Sequence, residues 1–131
     1  QDFFNTQSTK IRTRQNKVIT LYDEGKMIRD FTYIDDVTSA ITAVLEQDID
    51  KNYSIYNVGS SNPHSVITLL HTIEHKLGIK ANYISSKALE GDVKYTCAST
   101  DLIRKNYTLP PATNFSEGIS LFCKWIKEYL F

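Results

Sequence analysis

Cysteine is scarce: Cys97 and Cys123 are the only two in 131 residues. Two are too few for a disulfide framework, and both are expected as reduced core residues. An excess of either charge is missing as well. Lys plus Arg total 15, Asp plus Glu total 15, and the formal net charge is zero. Neither a nucleic-acid partner nor an anionic membrane surface is expected. No apolar run approaches the length of a membrane span. There is no internal repeat and no low-complexity tract. No signal-peptide pattern and no Met opens the chain, which starts Gln1-Asp2-Phe3-Phe4-Asn5. It is therefore read as cytoplasmic and as a piece of something longer. The remaining composition, 41% hydrophobic and 23% charged, is that of an ordinary globular protein. The length suits a single domain over 1–131 that can bury one core.

What is present alternates between two periodicities. Val18-Ile19-Thr20-Leu21-Tyr22 is β-branched and aromatic and predicts a strand. Asp23 to Lys26 reads as a turn, and Arg29 to Ile34 as a second extended segment. Val37, Ala40, Ile41, Val44 and Leu45 recur at helical spacing behind Asp35 as N-cap. After a polar loop over 48–52, Tyr53 to Val58 predicts a strand. The next helix has Asn62 as cap and Pro63 at its first position. Val66, Leu69, Leu70, Ile73 and Leu77 form its apolar face, and Gly78 is its stop. Lys80 to Ser85 predicts a strand, and Thr100 to Asn106 a short helix. Asn114-Phe115-Ser116-Glu117 resembles a capping box. It opens a last helix with Ile119, Phe122, Cys123, Ile126 and Leu130 on one face. Phe3 to Arg14, polar with few apolar anchors, is read as a helix without its packing partner. The alternation of strands and helices predicts an α/β fold.

Several short patterns could carry chemistry. His71-Thr72-Ile73-Glu74-His75 spells H-x-x-E-H, the inverted zinc-peptidase helix. Both histidines lie roughly 140–180° from Val66 on the helical wheel. They face water rather than a cleft, which argues against a metal site. Asp48 to Asn52 begins like a calcium loop, but Tyr53 stands where the turn needs glycine. Tyr22…Lys26 and Tyr83…Lys87 both spell Y-x-x-x-K, a pair that lowers a phenol's pKa when it sits on one helical turn. Here one spans a glycine turn and the other follows a strand.

Arg29-Asp30-Phe31-Thr32-Tyr33-Ile34-Asp35-Asp36-Val37 is the informative stretch. A lone Arg is usually a solvated surface charge. Arg29, however, lies in an extended segment running into a capped helix, and ligands gather at such strand ends in α/β proteins. A planar guanidinium suits bidentate contact with a phosphate. Asp35 and Asp36 are read as a cap and a favourable partner of the helix dipole.

Gly25 to Val37 resembles the R-D-F-T-Y-I-D-D stretch of nucleotide-sugar epimerases, which are extended short-chain dehydrogenase/reductases, in wording closest to UDP-glucuronate 4-epimerases. The resemblance continues in order. Tyr56-Asn57-Val58-Gly59 is similar to the family's Y-N-x-G strand end, and Glu74 to Gly78 to its E-x-x-L-G helix end. Gly91-Asp92-Val93 resembles its G-D-V/L-P loop with Lys94 in place of Pro. Thr113 to Ile119 matches T-x-x-x-E-G-I, and Trp125 to Tyr129 its closing helix. The likeness covers about residues 16–131.

Members of that family open with a Rossmann half carrying G-x-x-G-x-x-G, which binds NAD, and bear a helical Y-x-x-x-K. This sequence has no G-x-x-G-x-x-G. The resemblance therefore implies the C-terminal, substrate-binding portion of an extended short-chain dehydrogenase/reductase fold with the Rossmann half absent. The parent reaction it implies is NAD-assisted epimerisation at C4 of a UDP-sugar. NAD would belong to the parent enzyme, with none expected in this chain alone, and no catalytic residue is assigned. Thr20 and Tyr22 fall where family members contact uracil, largely through backbone groups. Arg29 falls where they bind the diphosphate, and Asp92 in the loop that reaches ribose or phosphate. Leu89 stands where some relatives have an Arg. The partners implied are a UDP-sugar and the missing Rossmann half; an apolar patch left where that half docks would favour self-association. A dehydratase or decarboxylase of the same fold, a zinc hydrolase using His71, Glu74 and His75, and a binding domain without chemistry are the alternatives.

Overall fold

The computed structural model describes residues 18–47 and 53–130. Within them the chain alternates β and α elements, as the sequence predicts. It divides into two compact units. The first contains residues up to 27 together with 65–94, and the second contains 28–64 and 95 onward.

In the first unit, β1 (Ile19–Tyr22) and β4 (Tyr83–Ser86) pair in parallel with Ile19 opposite Tyr83. The side chains of β1 alternate, so Ile19 and Leu21 are buried while Thr20 is exposed. Ile19 and Leu21 pack with Leu70 of α2 (Val66–Leu77), flanked by Val66, Ile67 and Ala81. Leu69, Leu70 and Ile73 are buried, as the predicted stripe requires. Gly78 ends the helix at φ 67°, a left-handed conformation that suits glycine. The start differs from expectation. Ser65, not Asn62, is the N-cap, and its hydroxyl accepts the Thr68 N–H at 3.2 Å. Pro63 therefore lies ahead of the helix, because His64–Ser65 form the short strand β3. A single 3-10 turn, Asp23–Gly25, follows β1. At Gly25 (φ +70°) a Cβ would stand 3.0 Å from the Ile67 backbone nitrogen and Cβ, so glycine serves both the dihedral and the close approach.

In the second unit, β2 (Ile28–Arg29) lies beside β3 and bridges in parallel to Tyr95. Helix α1 (Ile34–Glu46) begins at Ile34, with Tyr33 in the cap position and no side-chain cap bond. Asp35 is therefore not the cap; it sits with Asp36 in the first turn, where a negative charge complements the helix dipole. The buried face of α1 keeps Ala40 from the expected stripe and otherwise departs from it. Ala40 and Ala43 are buried against Ile103 and Tyr107, with Tyr56 and Leu109 beside them. Ile41, Val44 and Leu45 point outward, with Leu45 80% exposed. Small residues face the core because Ile103 of α3 (Asp101–Asn106) packs there at 2% exposure. Tyr53 to Val58 has no strand pairing among the described residues, contrary to the predicted strand. A strand is defined by a partner, and sequence pattern supplies only half of one.

Helix α4 (Phe115–Leu130) is capped as expected at its start, where Asn114 Oδ1 accepts the Ser116 N–H at 3.0 Å. Cys123 and Ile126 are buried on its inner face. Of the two free cysteines only Cys123 is a core residue; Cys97 is exposed, which corrects that expectation. The readings of Phe3–Arg14 and of the 48–52 loop lie outside the described residues.

Candidate functional site

Thr20 and Tyr22 share β1, and Asp92 lies in the same unit; Arg29 belongs to the second unit. On β1 the Ile19 N–H donates to Asn82 O at 2.8 Å, toward β4. Alternate residues of a parallel strand turn their backbone groups to opposite edges. Thr20 and Tyr22 thus turn theirs to the edge away from β4, and no strand among the described residues occupies it. Asp92 ends a turn in which its N–H donates to Leu89 O at 3.2 Å, with Gly91 at φ 81°. Its residue is exposed.

Arg29 sits on β2 with its backbone fixed on both sides by one residue. The Thr96 N–H donates to Ile28 O at 3.1 Å, and the Asp30 N–H donates to Thr96 Oγ1 at 3.4 Å. The guanidinium also donates, through Nη1, to Ile28 O at 3.0 Å. It is half-buried, not the fully solvated charge that a lone Arg would ordinarily be.

The polar centre of this unit is Asp30, which sequence reasoning passed over. Its Oδ1 accepts the Ser60 N–H at 3.1 Å and the Ser60 hydroxyl. Its Oδ2 accepts the Ala98 N–H at 3.0 Å and the Ser61 N–H at 3.2 Å. Burial works against the charged form. The Ser60 hydroxyl and the N–H groups of Ala98, Ser61 and Ser60 outweigh it and hold the carboxyl below its usual range. Close approach makes this cluster possible: a Cβ on Gly59 would come within 2.6 Å of both Asp30 Oδ2 and Ala98 Cβ. The only sequence hint was that Asp30 and Gly59 both lie in family-like stretches.

Asp36 has a comparable structural task. Its carboxylate accepts the Thr113 N–H at 3.0 Å and the Thr113 hydroxyl at 2.7 Å, tying α1 to the loop before α4. The enclosed cavity beside it, lined by Asp36, Gly59, Thr100 and Arg104 among others, measures about 20 Å³. That is room for a single water and not for a nucleotide.

The H-x-x-E-H helix uses its glutamate as a clip. Glu74 is only 6% exposed and accepts the Ala81 N–H at 2.7 Å. His71 Nδ1 lies 3.0 Å and Lys80 Nζ 3.5 Å from its Oε2. Burial favours the neutral form, but the His71 ring, the Ala81 N–H and the Lys80 charge outweigh it and keep Glu74 below its ordinary range. A carboxylate so occupied is not a free base. His75 is exposed, and among the described residues no three His, Cys, Asp or Glu side chains gather as metal ligands. Neither Y-x-x-x-K pair sits on a helix: Tyr22 ends β1 and Tyr83 opens β4.

Comparison with known proteins shows what the chain is similar to. Residues 3–59 match the NAD dependent epimerase/dehydratase family. UDP-glucuronate 4-epimerase 6 of Arabidopsis thaliana is 31% identical over 128 residues, covering 86% of this chain and 28% of that protein. Over this part of their length the chain is similar to members of the NAD dependent epimerase/dehydratase family. Another relative, Protein CapI of Staphylococcus aureus, is 29% identical over 130 residues, covering 87% of this chain and 39% of that one. The UDP-glucuronic acid 4-epimerase of Bacillus cereus, solved with UDP-glucuronic acid and NAD, superposes with a TM-score of 0.80 at 26% identity. That superposition covers 92% of this chain and 38% of the epimerase. The chain thus spans two-fifths or less of the length of these relatives.

Among the described residues no glycine-rich turn of the kind that cradles a dinucleotide opens a helix. A dinucleotide cradle needs a glycine-rich turn opening a helix N-terminus. The glycines with positive φ here are Gly25, Gly78 and Gly91: a 3-10 turn, a helix C-terminus and a loop turn. No chemical step is assigned to NAD within these residues.

Proposed function

We propose that this chain is the UDP-sugar-binding portion of an NAD-assisted nucleotide-sugar 4-epimerase, of UDP-glucuronate or UDP-glucose type. The observation that carries the reading is the Bacillus cereus epimerase, bound to UDP-glucuronic acid and NAD, which matches 92% of the chain at a TM-score of 0.80. On this reading Arg29 binds the diphosphate, Thr20 and Tyr22 meet uracil through backbone groups, and Asp92 reaches ribose or phosphate. Three features support those roles. Arg29 stands on a strand whose carbonyl and N–H neighbours are both fixed by Thr96. The outer edge of β1 offers backbone groups to a planar base. Asp92 is exposed at a turn held by Leu89 O.

NAD and the oxidation–reduction chemistry belong, on the same reading, to a Rossmann portion supplied by the rest of the enzyme. The chain alone then neither binds NAD tightly nor epimerises a sugar. The outward face of α1, with Ile41, Val44 and Leu45 exposed, is assigned to contact with that portion, and the chain alone self-associates. The site is that of an enzyme of the cytoplasm.

The test is titration of UDP into the intact NAD-bound enzyme by calorimetry. Arg29→Ala weakens binding by roughly tenfold to a hundredfold, the value of a bidentate charge-assisted contact of about 1.5–3 kcal/mol. Arg29→Lys recovers only part, because an ammonium keeps the charge and loses the fork. Bound NAD, read by absorbance, stays unchanged. Full UDP affinity in Arg29→Ala would return this residue to the status of a surface charge.

A further inference from the structure

We propose that Asp30 is the positioning residue for Arg29: its carboxylate draws the 59–61 turn and the 96–98 segment together behind β2 and fixes the backbone from which the guanidinium reaches its phosphate. The inference rests on the reading of Arg29 as the diphosphate contact.

Neighbouring side chains of an extended segment leave on opposite sides. Arg29 and Asp30 are such neighbours, so Asp30 anchors on one side while Arg29 leaves the backbone on the other, its Nη1 now donating to Ile28 O. The anchor is complete: each Asp30 oxygen accepts two donors, Ser60 N–H and hydroxyl on Oδ1, Ser61 and Ala98 N–H on Oδ2. Those donors come from segments 30 and 68 residues away in sequence. The Asp30 N–H itself goes to Thr96 Oγ1, and Thr96 also holds Ile28 O, so the two peptide groups that flank Arg29 share one partner. Gly59 supplies independent support. It is buried, and its missing Cβ leaves the space that Asp30 Oδ2 occupies. A guanidinium on a long flexible stem loses affinity when its base can shift, because bidentate geometry tolerates little misplacement.

Asp30→Asn keeps the shape but places an NH₂ where an acceptor stood, so at least one backbone N–H loses its partner on either amide orientation. The experiment is a double-mutant cycle of Asp30→Asn with Arg29→Ala in the intact NAD-bound enzyme. It reads UDP affinity by calorimetry and the melting midpoint in parallel. Asp30→Asn is expected to weaken UDP about tenfold in the wild-type background, and to change it no further in the Arg29→Ala background. Equal losses in both backgrounds, tracking the drop in melting midpoint, would mean general loosening and would overturn the proposal. So would full affinity in Asp30→Asn while Arg29→Ala alone is impaired. Unimpaired binding by Arg29→Ala alone is a different result: it removes the diphosphate reading, and with it anything for Asp30 to position. Should Asp30→Asn not fold, Ser60→Ala replaces it in the cycle, since it deletes one donor and leaves the backbone N–H in place. A loss of about twofold to threefold that vanishes without Arg29 supports the proposal; a loss independent of Arg29, or none, overturns it.

Discussion

Glu74 in the first unit and Asp30 in the second are both carboxylates held below their ordinary pKa, yet they are satisfied in different ways. Glu74 draws on residues within ten positions of itself: His71, Lys80 and the Ala81 N–H. Two of these three are cationic or can become so, and both side chains are exposed, His71 at 56% and Lys80 at 90%. Asp30 draws only on neutral donors, three backbone N–H groups and one hydroxyl, from segments remote in sequence. The first carboxylate closes a helix end onto the next strand. The second determines how three stretches of chain meet. A local clip can be weakened without disturbing its unit's topology, whereas a non-local hub cannot.

The largest effect should therefore follow Asp30→Ala. It strands part-buried N–H groups of Ser60 and Ala98, each costing about 1–3 kcal/mol when left unmade. A loss of about 3 kcal/mol in urea denaturation of the intact protein is expected; a loss under about 1 kcal/mol would place Asp30 on a level with an ordinary surface residue. Glu74→Ala should lose about 2 kcal/mol by orphaning the Ala81 N–H, and Glu74→Gln under about 1 kcal/mol because the amide oxygen still accepts it. Equal damage from Glu74→Gln and Glu74→Ala would show that the exposed cations, not the backbone bond, hold the clip.

Acid gives a smaller, graded effect of known sign. Both carboxyls have folded-state values below their unfolded ones. Their contribution is fully present above the unfolded values, near pH 4, and is lost as pH falls through the folded values. The melting midpoint should thus hold from neutrality to about pH 5 and decline below pH 4, more shallowly in Asp30→Asn than in the wild type. An identical acid slope in the variant would remove Asp30 from the account of pH dependence. Lys80→Ala should make no measurable difference, since an exposed ion pair contributes little. A clear loss there would raise the ionic part of the Glu74 clip above its backbone part.

The same contrast explains what could be read in advance. The stripe of α2 and its stop at Gly78 were legible because helix faces and C-caps are local patterns. So was the cap of α4 at Asn114. The start of α2 was misplaced by three residues because the pairing of β2 with β3 engages His64 and Ser65, and no local signal announces it. On α1 the apolar spacing named Ala40, which is buried, together with Ile41, Val44 and Leu45, which are exposed; close packing against Ile103 takes Ala43 in their place. Arg29 could be singled out as a residue type at a strand end. Asp30 could not, because its four donors lie 30 to 68 residues away and none is marked by side-chain chemistry except Ser60.

The most direct test of the functional claim is a crystal structure of the intact NAD-bound enzyme with a UDP-sugar. The account predicts diphosphate oxygens within hydrogen-bond distance of the Arg29 guanidinium, with Asp30 still holding Ser60, Ser61 and Ala98 at its back. A nucleotide bound with Arg29 turned away and no protein–phosphate contact from β2 would contradict it.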